Sequence, residues 1–295
     1  MSAPIQIYAS GDHYHPVSEA LPDLKELTQQ VTGKSFRRIG RFIQLAMIGA
    51  ARCTNLSVPK ESAVYLSSGR GDLELTVEIM TELFARAQTP KPLGFVNTVS
   101  NAACFYVAQL LGLQSRSNYV CNRYFAFESV LQLARNDLMM GNVNSALIGS
   151  IDVCTHPLTD HRQRLHLSPH TEMGEGSHWL WLGTEDINRP ALGELVDTRH
   201  FNHRDELLQW TRTQSIASLA LSRGQFVGDQ DWQFIVSHID HAAIFDYRSN
   251  RGWYDSHSGA VIGDFFRSAD VATSLLHINA DDCGRFNAIF VKHSS

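Results

Sequence analysis

Strands alternating with helices along the 295 residues predict a layered α/β fold. Three observations carry this. Residues 144–153, NSALIGSIDV, are nearly all apolar, as a strand buried on both faces must be. Residues 35–53, SFRRIGRFIQLAMIGAARC, set Phe36, Ile39, Phe42, Ile43, Ala46 and Met47 at helical spacing, so a helix packs there on one face. The rhythm of the first half then returns in the second. We read two pseudo-repeated halves, 1–170 and 171–295, forming one compact unit because no linker rich in Pro, Gly or Ser divides them.

The other elements follow in order. IQIYASG (5–11) is a first strand ending in a turn, and SAVYLSSGRGD (62–72) a buried strand running into a glycine turn. SNAACFYVAQLLG (100–112) is a short apolar helix that Gly112 stops. SNYVCN (117–122) is a strand, and Phe125 to Met140 a helix of about four turns. In the second half, HWLWLG (178–183) and GELVDTRHF (193–201) are expected as paired strands. RDELLQWTRTQSIASLALSRG (204–224) is expected as a helix, QFIVSHID (233–240) as a strand, SADVATSLLHI (268–278) as a helix and FNAIFVKH (286–293) as a closing strand.

Composition narrows the function. Net charge is −5, from 25 Lys+Arg against 30 Asp+Glu, with no basic stripe to follow a phosphate backbone, so nucleic acid is not an expected partner. No apolar run approaches the ~20 residues of a membrane span. The first residues, MSAPIQIYASGDHYHP, lack the basic and apolar parts of a signal peptide. Five scattered cysteines without CxxC spacing predict neither a disulfide framework nor a zinc site, and a cytoplasmic location is expected. The 14 histidines cluster in loop-like stretches such as HPLTDHRQRLHLSPH without metal-ligand spacing. Neither a metal nor a cofactor is expected.

Several segments, in this order and at these spacings, resemble the β-ketoacyl synthases of the thiolase superfamily. LGFVNTVSNAACFYVAQLLGLQSRSNYV (93–120) is similar to the family's approach segment and its helix ending in Gly-Leu. GNVNSALIGSID (141–152) is similar to G-x-A-D-x-A-L-x-G-G, and MGEGSHWLWL (173–182) to the M/L-G-E-G strand. SHIDHAAIFD (237–246) has the length of H-G-T-G-T-x-x-x-D. SHSGAVIG (256–263) stands where the family has M-T-G-H-x-x-G, and CGRFNAIFV (283–291) stands for G-F-G-G-T-N-x-x-x-V. The resemblance implies a thiolase-like layered α-β-α-β-α fold. Short intervals between the first strand and RRIGRF, and between GELVDTRHF and QFIVSH, imply shortened capping regions.

Family members perform a decarboxylating condensation with a Cys nucleophile, two histidines and a lysine. Counting forward from Gly112 and back from Gly141 lands both times on Tyr124 where the family has Cys. A phenol, with a pKa near ~10, forms no useful acyl intermediate where a positioned thiolate would. By the same resemblance His238 keeps the first histidine, Ala260 replaces the second, Asp255 replaces the lysine and Cys283 takes the place of a gating Phe. His257, three residues from the expected place, is the alternative position for the second histidine; against it, Gly259 and Gly263 flank Ala260 as the family's glycines flank its histidine. Glu128, one turn beyond Tyr124, holds its hydroxyl or is a solvated charge. No catalytic residue is expected. Cys104, Phe105, Gln109, Tyr124, Phe125 and Cys283 are the candidates for an acyl tunnel or pocket.

Thiolase-fold proteins pair through the strand before the nucleophile, which implies an interface strand here of Asn118, Tyr119, Val120, Cys121 and Asn122. The family also contains chain length factors, relatives without the Cys that pair with an active ketosynthase and shape its acyl tunnel. That is the expected role, with an active β-ketoacyl synthase and acyl carrier protein as partners, in polyketide or specialised fatty-acid synthesis, aryl polyenes included. The alternative is a stand-alone acyltransferase or thioester hydrolase using Tyr124, His238 or Cys121.

Overall fold

A computed structural model describes residues 3–17, 21–99, 101–185, 187, 189–214, 218–240, 242–246, 251–268 and 272–294. The strands are β1 (Ile5–Pro16), β2 (Ala63–Ser68), β3 (Ser117–Cys121), β4 (Ser145–Asp152), β5 (Gly174–Gly183), β6 (Gly193–Phe201), β7 (Leu219–Arg223), β8 (Ala243–Ile244), β9 (Ser274–Ala280) and β10 (Phe286–His293). The helices are α1 (Leu24–Thr32), α2 (Arg41–Thr54), α3 (Leu73–Met80), α4 (Pro92–Asn97), α5 (Ala102–Leu111), α6 (Ala126–Met139), α7 (Leu158–Arg164), α8 (Arg204–Arg212), α9 (Asp229–Ser237) and α10 (Ser258–Arg267). A π-helical turn, Thr81–Ala85, extends α3.

The strands join in the order β3-β2-β4-β5-β1-β6-β10-β9-β7-β8. Taken outward from the β1–β6 junction, the first half runs 1-5-4-2-3 and the second 6-10-9-7-8, the same topology twice. By this order the break between halves falls between Gly183 and Gly193 rather than at 170, because β5 lies between β4 and β1 of the first half. Side-chain alternation sorts the core into layers. Val64 and Leu66 of β2 face α2 and α5, while Tyr65 between them faces α6. Leu276 and Ile278 of β9 face α8 and α9, and Leu275 faces inward. Phe127, Val130 and Leu131 of α6 and Val261, Ile262 and Phe265 of α10 share one cluster with inner-face residues of both halves. The result is α–β–α–β–α, with α6 and α10 as the middle layer.

The second half departs from the sequence reading in four places. HWLWLG and GELVDTRHF do not pair, because β1 lies between β5 and β6 and bonds to both. The helix expected over 204–224 ends at Arg212, and LALSR is strand β7, buried beside β9. QFIVSHID, expected as a strand, falls within and just beyond helix α9. Of SADVATSLLHI, expected as a helix, residues 274–278 are strand β9 and 269–271 lie outside the described residues. Each is an apolar run too short for periodicity to separate a buried strand from a buried helix. In the first half, α2 begins at Arg41 after Gly40, with Phe36 and Ile39 packing on its cluster from non-helical backbone. Gly112 ends α5 in the left-handed conformation, at φ 69°.

Trp179 of β5 is the largest fully buried side chain, and its indole N–H donates to Ser177 Oγ at 2.9 Å. Its ring needs bare backbone on the neighbouring strand: a Cβ at Gly149 of β4 would lie 2.6 Å from it. Gly149→Ala is therefore expected to destabilise the chain by roughly 1–3 kcal/mol through overpacking, read from the midpoint of urea unfolding.

Candidate functional site

The middle-layer helices bring their N-terminal ends together. Asn122 builds the turn into α6: its Oδ1 accepts from the backbone N–H of Tyr124 at 3.3 Å and of Phe125 at 3.4 Å, and its amide donates to Ser129 at 3.2 Å. At the head of α10 stands His257, buried, with its ring edge-on to Tyr254 at 4.6 Å. Ala260 is the third residue of that helix and is buried in its packing.

Between the two helix heads lies a closed polar network. The Ser258 hydroxyl donates to Glu128 Oε1, so its oxygen is left to accept from His277 Nε2 at 2.9 Å; His277 Nδ1 in turn accepts from Ser222 at 2.9 Å. That assignment fixes the imidazole tautomer from the network. Asn279 donates to Glu128 Oε1 at 3.0 Å and to the backbone carbonyl of Tyr124 at 2.9 Å. Burial pushes His277 down to about 3, so the ring is neutral. Burial likewise raises Glu128 against the hydrogen bonds it accepts. Glu128 therefore neither holds the Tyr124 hydroxyl nor meets solvent; it is locked to Ser258 and Asn279.

A second network ties three chain segments together. Asp152, at the end of β4, accepts from Ser68 Oγ at 2.8 Å and the Gly69 N–H at 2.9 Å on one oxygen, and from the Ser256 N–H at 2.6 Å and the Ser256 hydroxyl on the other. Beside it, Asp255 pairs with Arg70 Nε at 2.8 Å. Burial raises both carboxyls; the neighbouring Asp152 adds to the rise at Asp255, and Arg70 opposes it. A third contact runs from Arg251 through Asp12 and His178 to the Tyr254 hydroxyl, which lies 2.7 Å from His178 Nε2.

The expected chemical groups are not gathered. The Tyr124 hydroxyl points to the second half and donates to Asp282 at 2.7 Å, with its ring edge-on to Phe226 at 4.9 Å. The bond to Asp282 raises the phenol above its ordinary value, so it stays protonated. His238, expected at a strand end, caps the C-terminus of α9 on the outer layer. It is exposed, and its Nδ1 donates to the Phe234 carbonyl at 2.8 Å. Burial pushes Cys53 and Cys104 up to about 12 and raises Cys121 and Cys154, while a hydrogen bond to Asp282 raises Cys283. All five thiols are thus held in the protonated, weakly nucleophilic form. Of the tunnel candidates, Cys104, Phe105 and Gln109 lie on α5 on the outer face of the first-half sheet. Phe125 is buried at the head of α6, edge-on to His200, and Cys283 is exposed in the loop after β9. α5 and α6 pack on opposite faces of β2.

Sequence reasoning missed Asp152, His178, His277, Asn279 and Arg70. A signal existed for Asp152, a charged residue closing an otherwise apolar strand. His277 and Asn279 were hidden by the helical reading of 268–278, where they carry no periodic meaning.

No family model matches the chain, and no curated protein matches it in sequence. Solved structures do match, over nearly the whole chain. The fold is that of solved β-ketoacyl synthase structures. The ishigamide ketosynthase/chain length factor superposes with a TM-score of 0.77 at 14% identity, covering 99% of this chain and 100% of that one. A β-ketoacyl synthase from Burkholderia phymatum STM815 superposes at 0.75 with 11% identity, covering 99% of this chain and 100% of that one. AntDE:AntF, a type II polyketide synthase acyl-carrier protein in complex with its ketosynthase bound to the hexaketide, superposes at 0.74 with 12% identity, covering all of both chains. Within this ketosynthase fold, the elbow that precedes α6 carries Tyr124.

The raised carboxyl of Asp255 has a consequence for stability. Its pKa climbs from an ordinary 3.8 to about 7 on folding, so the folded state holds the proton more tightly. The contribution is present below about pH 4 and is lost as pH rises through about 7. Asp255→Asn should flatten the decline in unfolding free energy between these values, measured by urea titration at each pH. An unchanged slope would show that Asp255 is not the group responsible.

Proposed function

We propose that the chain is a non-catalytic ketosynthase-like subunit, a chain length factor, which pairs with an active β-ketoacyl–acyl carrier protein synthase and shapes that subunit's acyl tunnel. The pathway class we assign is cytoplasmic polyketide or specialised fatty-acid synthesis on acyl carrier protein, aryl polyenes included. One observation carries the reading. The elbow holds a protonated phenol turned away toward Asp282, and every thiol is raised above its ordinary pKa. Carbon–carbon bond formation on an acyl thioester needs an activated nucleophile to carry the acyl group. A homodimer would hold two copies of the same inert elbow.

The surface supports pairing. Among the described residues β3 bonds to β2 alone and ends the strand series, so its other edge offers backbone groups for pairing. Beside it, on the connection from β2 to β3, Phe84 is 78%, Phe105 61% and Phe95 59% exposed, with Met80, Val96 and Val99 also outward. Such a set of apolar side chains marks an interaction surface. The matched ishigamide structure is described as a ketosynthase/chain length factor, and the matched AntDE:AntF structure includes an acyl carrier protein. Among the described residues no helix is long and apolar enough to cross a membrane.

Co-expression with a candidate ketosynthase should yield a stable one-to-one complex. Phe105→Asp, at an exposed position, should leave the chain's own stability within about 0.5 kcal/mol. It should weaken the complex by about 2 kcal/mol, some thirtyfold, if Phe105 is an aromatic anchor. Sedimentation velocity and denaturant unfolding read the two effects. Malonyl-dependent extension of an acyl thioester by the purified chain alone would overturn the assignment.

A further inference from the structure

Leu133, Met139 and Met140 form a second group of exposed apolar side chains, apart from those of the β2-to-β3 connection, on α6 and at its C-terminal cap. In its charges α6 is inside out. Its sequence, AFESVLQLARNDLM, holds three, and each is drawn inward. Glu128 accepts from Ser258 and Asn279, and Arg135 Nη2 holds Asp197 of β6 at 3.0 Å. Asp137 accepts from the Tyr65 hydroxyl at 2.6 Å and from Arg116 at 3.0 Å. The outward stripe is Ser129, Leu133, Asn136 and Met140, spaced i, i+4, i+7 and i+11 along one face. Met140 is 73% exposed, and Gln132 beside the stripe donates to Asn136 Oδ1 at 2.9 Å.

A surface helix ordinarily does the opposite, turning apolar residues in and charges out. Depletion of charge together with exposed methionine is the composition of the buried centre of a protein–protein interface. Thioether side chains also adapt to the shape they meet. A membrane surface does not fit, because an interfacial helix carries cations around its apolar face and this stripe has none. The stripe is continuous with β3: the amide of Asn122, the residue after that strand, donates to Ser129 Oγ at 3.2 Å. Residues 117–122, SNYVCN, are likewise uncharged. Strand and stripe thus form one neutral surface. An interface of twofold type sets the same patch of each subunit against the other. A partner of the same fold that pairs edge to edge with β3 therefore brings its own helix of this position against α6.

We propose that the outward face of α6 seats the partner subunit's corresponding helix, the one that follows its nucleophile elbow. This seating rests on the proposed pairing and goes beyond it by naming the element that meets α6. Photo-cross-linking in the complex with the co-expressed ketosynthase tests it. Benzoylphenylalanine placed at position 133, and separately at 140, should join the helix after the partner's nucleophilic cysteine, identified by peptide mass spectrometry. The same probe at the exposed Gln209 on α8 should not reach that helix. Leu133→Lys and Met140→Lys keep a good helix former at exposed positions and should each weaken the complex on the order of tenfold, by burying an ammonium group in the interface. Gln209→Lys should leave it unchanged. Circular dichroism establishes that each variant is folded, and the cross-link map decides where one is not. Cross-links that land only on other segments, or Lys variants that pair at full affinity, overturn the proposal and leave the pairing standing. Failure of the unsubstituted chains to associate overturns the pairing and this seating with it.

Discussion

The middle of the molecule depends on one buried carboxylate. Asp152 stands where β4 ends, and its two oxygens take four donors from two other segments: Ser68 and Gly69 leaving β2, and Ser256 entering α10. A carboxylate buried without such partners would cost more than the fold could tolerate. Satisfied, it couples a first-half strand exit to the second-half helix head, across the pseudo-repeat. Losing either donor segment would leave one of its oxygens unsatisfied in the interior, which couples the packing of the three segments. Arg70 and Asp255 extend the same junction outward by one more ion pair.

With that junction closed, the space between the heads of α6 and α10 is filled by a buried hydrogen-bonded network. Each polar group there is spent on another: Glu128 on Ser258 and Asn279, His277 on Ser222 and Ser258. Burial keeps the imidazole neutral and raises the carboxyl, which suits a static hydrogen-bonded core. A general base needs a titration near the working pH and an open path to its proton. His277 has a pKa far below that range and both ring nitrogens engaged. Tyr124 contributes its backbone carbonyl to the network through Asn279 and sends its ring outward to Phe226 and Asp282.

How far the sequence could be read follows from the physics of each segment. The first half was legible because its signals agree: the all-apolar β4, the many-sided burial of α2 and the Gly112 cap each admit one conformation. The second half was not, because LALSR, QFIVS and SLLHINA are apolar runs whose state is set by partners far along the chain. LALSR and SLLHINA become strands by pairing with each other, while QFIVS, outside that pair, becomes the outer helix α9. The misreading then propagated to the site. His238 took its expected role from a strand end that is a helix C-terminus, and His277 and Asn279 lost theirs to a helix that is a strand. Tyr124 was legible because its placement rested on two glycines, Gly112 and Gly141, both at positive φ and both helix terminators.

Fold and chemistry separate cleanly here because different forces hold them. The layered core is fixed by apolar burial on both sheet faces and tolerates any nucleophile identity at the turn before α6. That turn is shaped by Asn122, whose side chain gathers the Tyr124 and Phe125 N–H groups whatever side chain position 124 bears. The shape of the elbow therefore does not depend on the side chain at position 124. The same fold presents a strand edge at β3 and the exposed aromatic residues of the β2-to-β3 connection. The proposed role draws on that same edge and those side chains, which the fold sets out independently of the chemistry at the elbow.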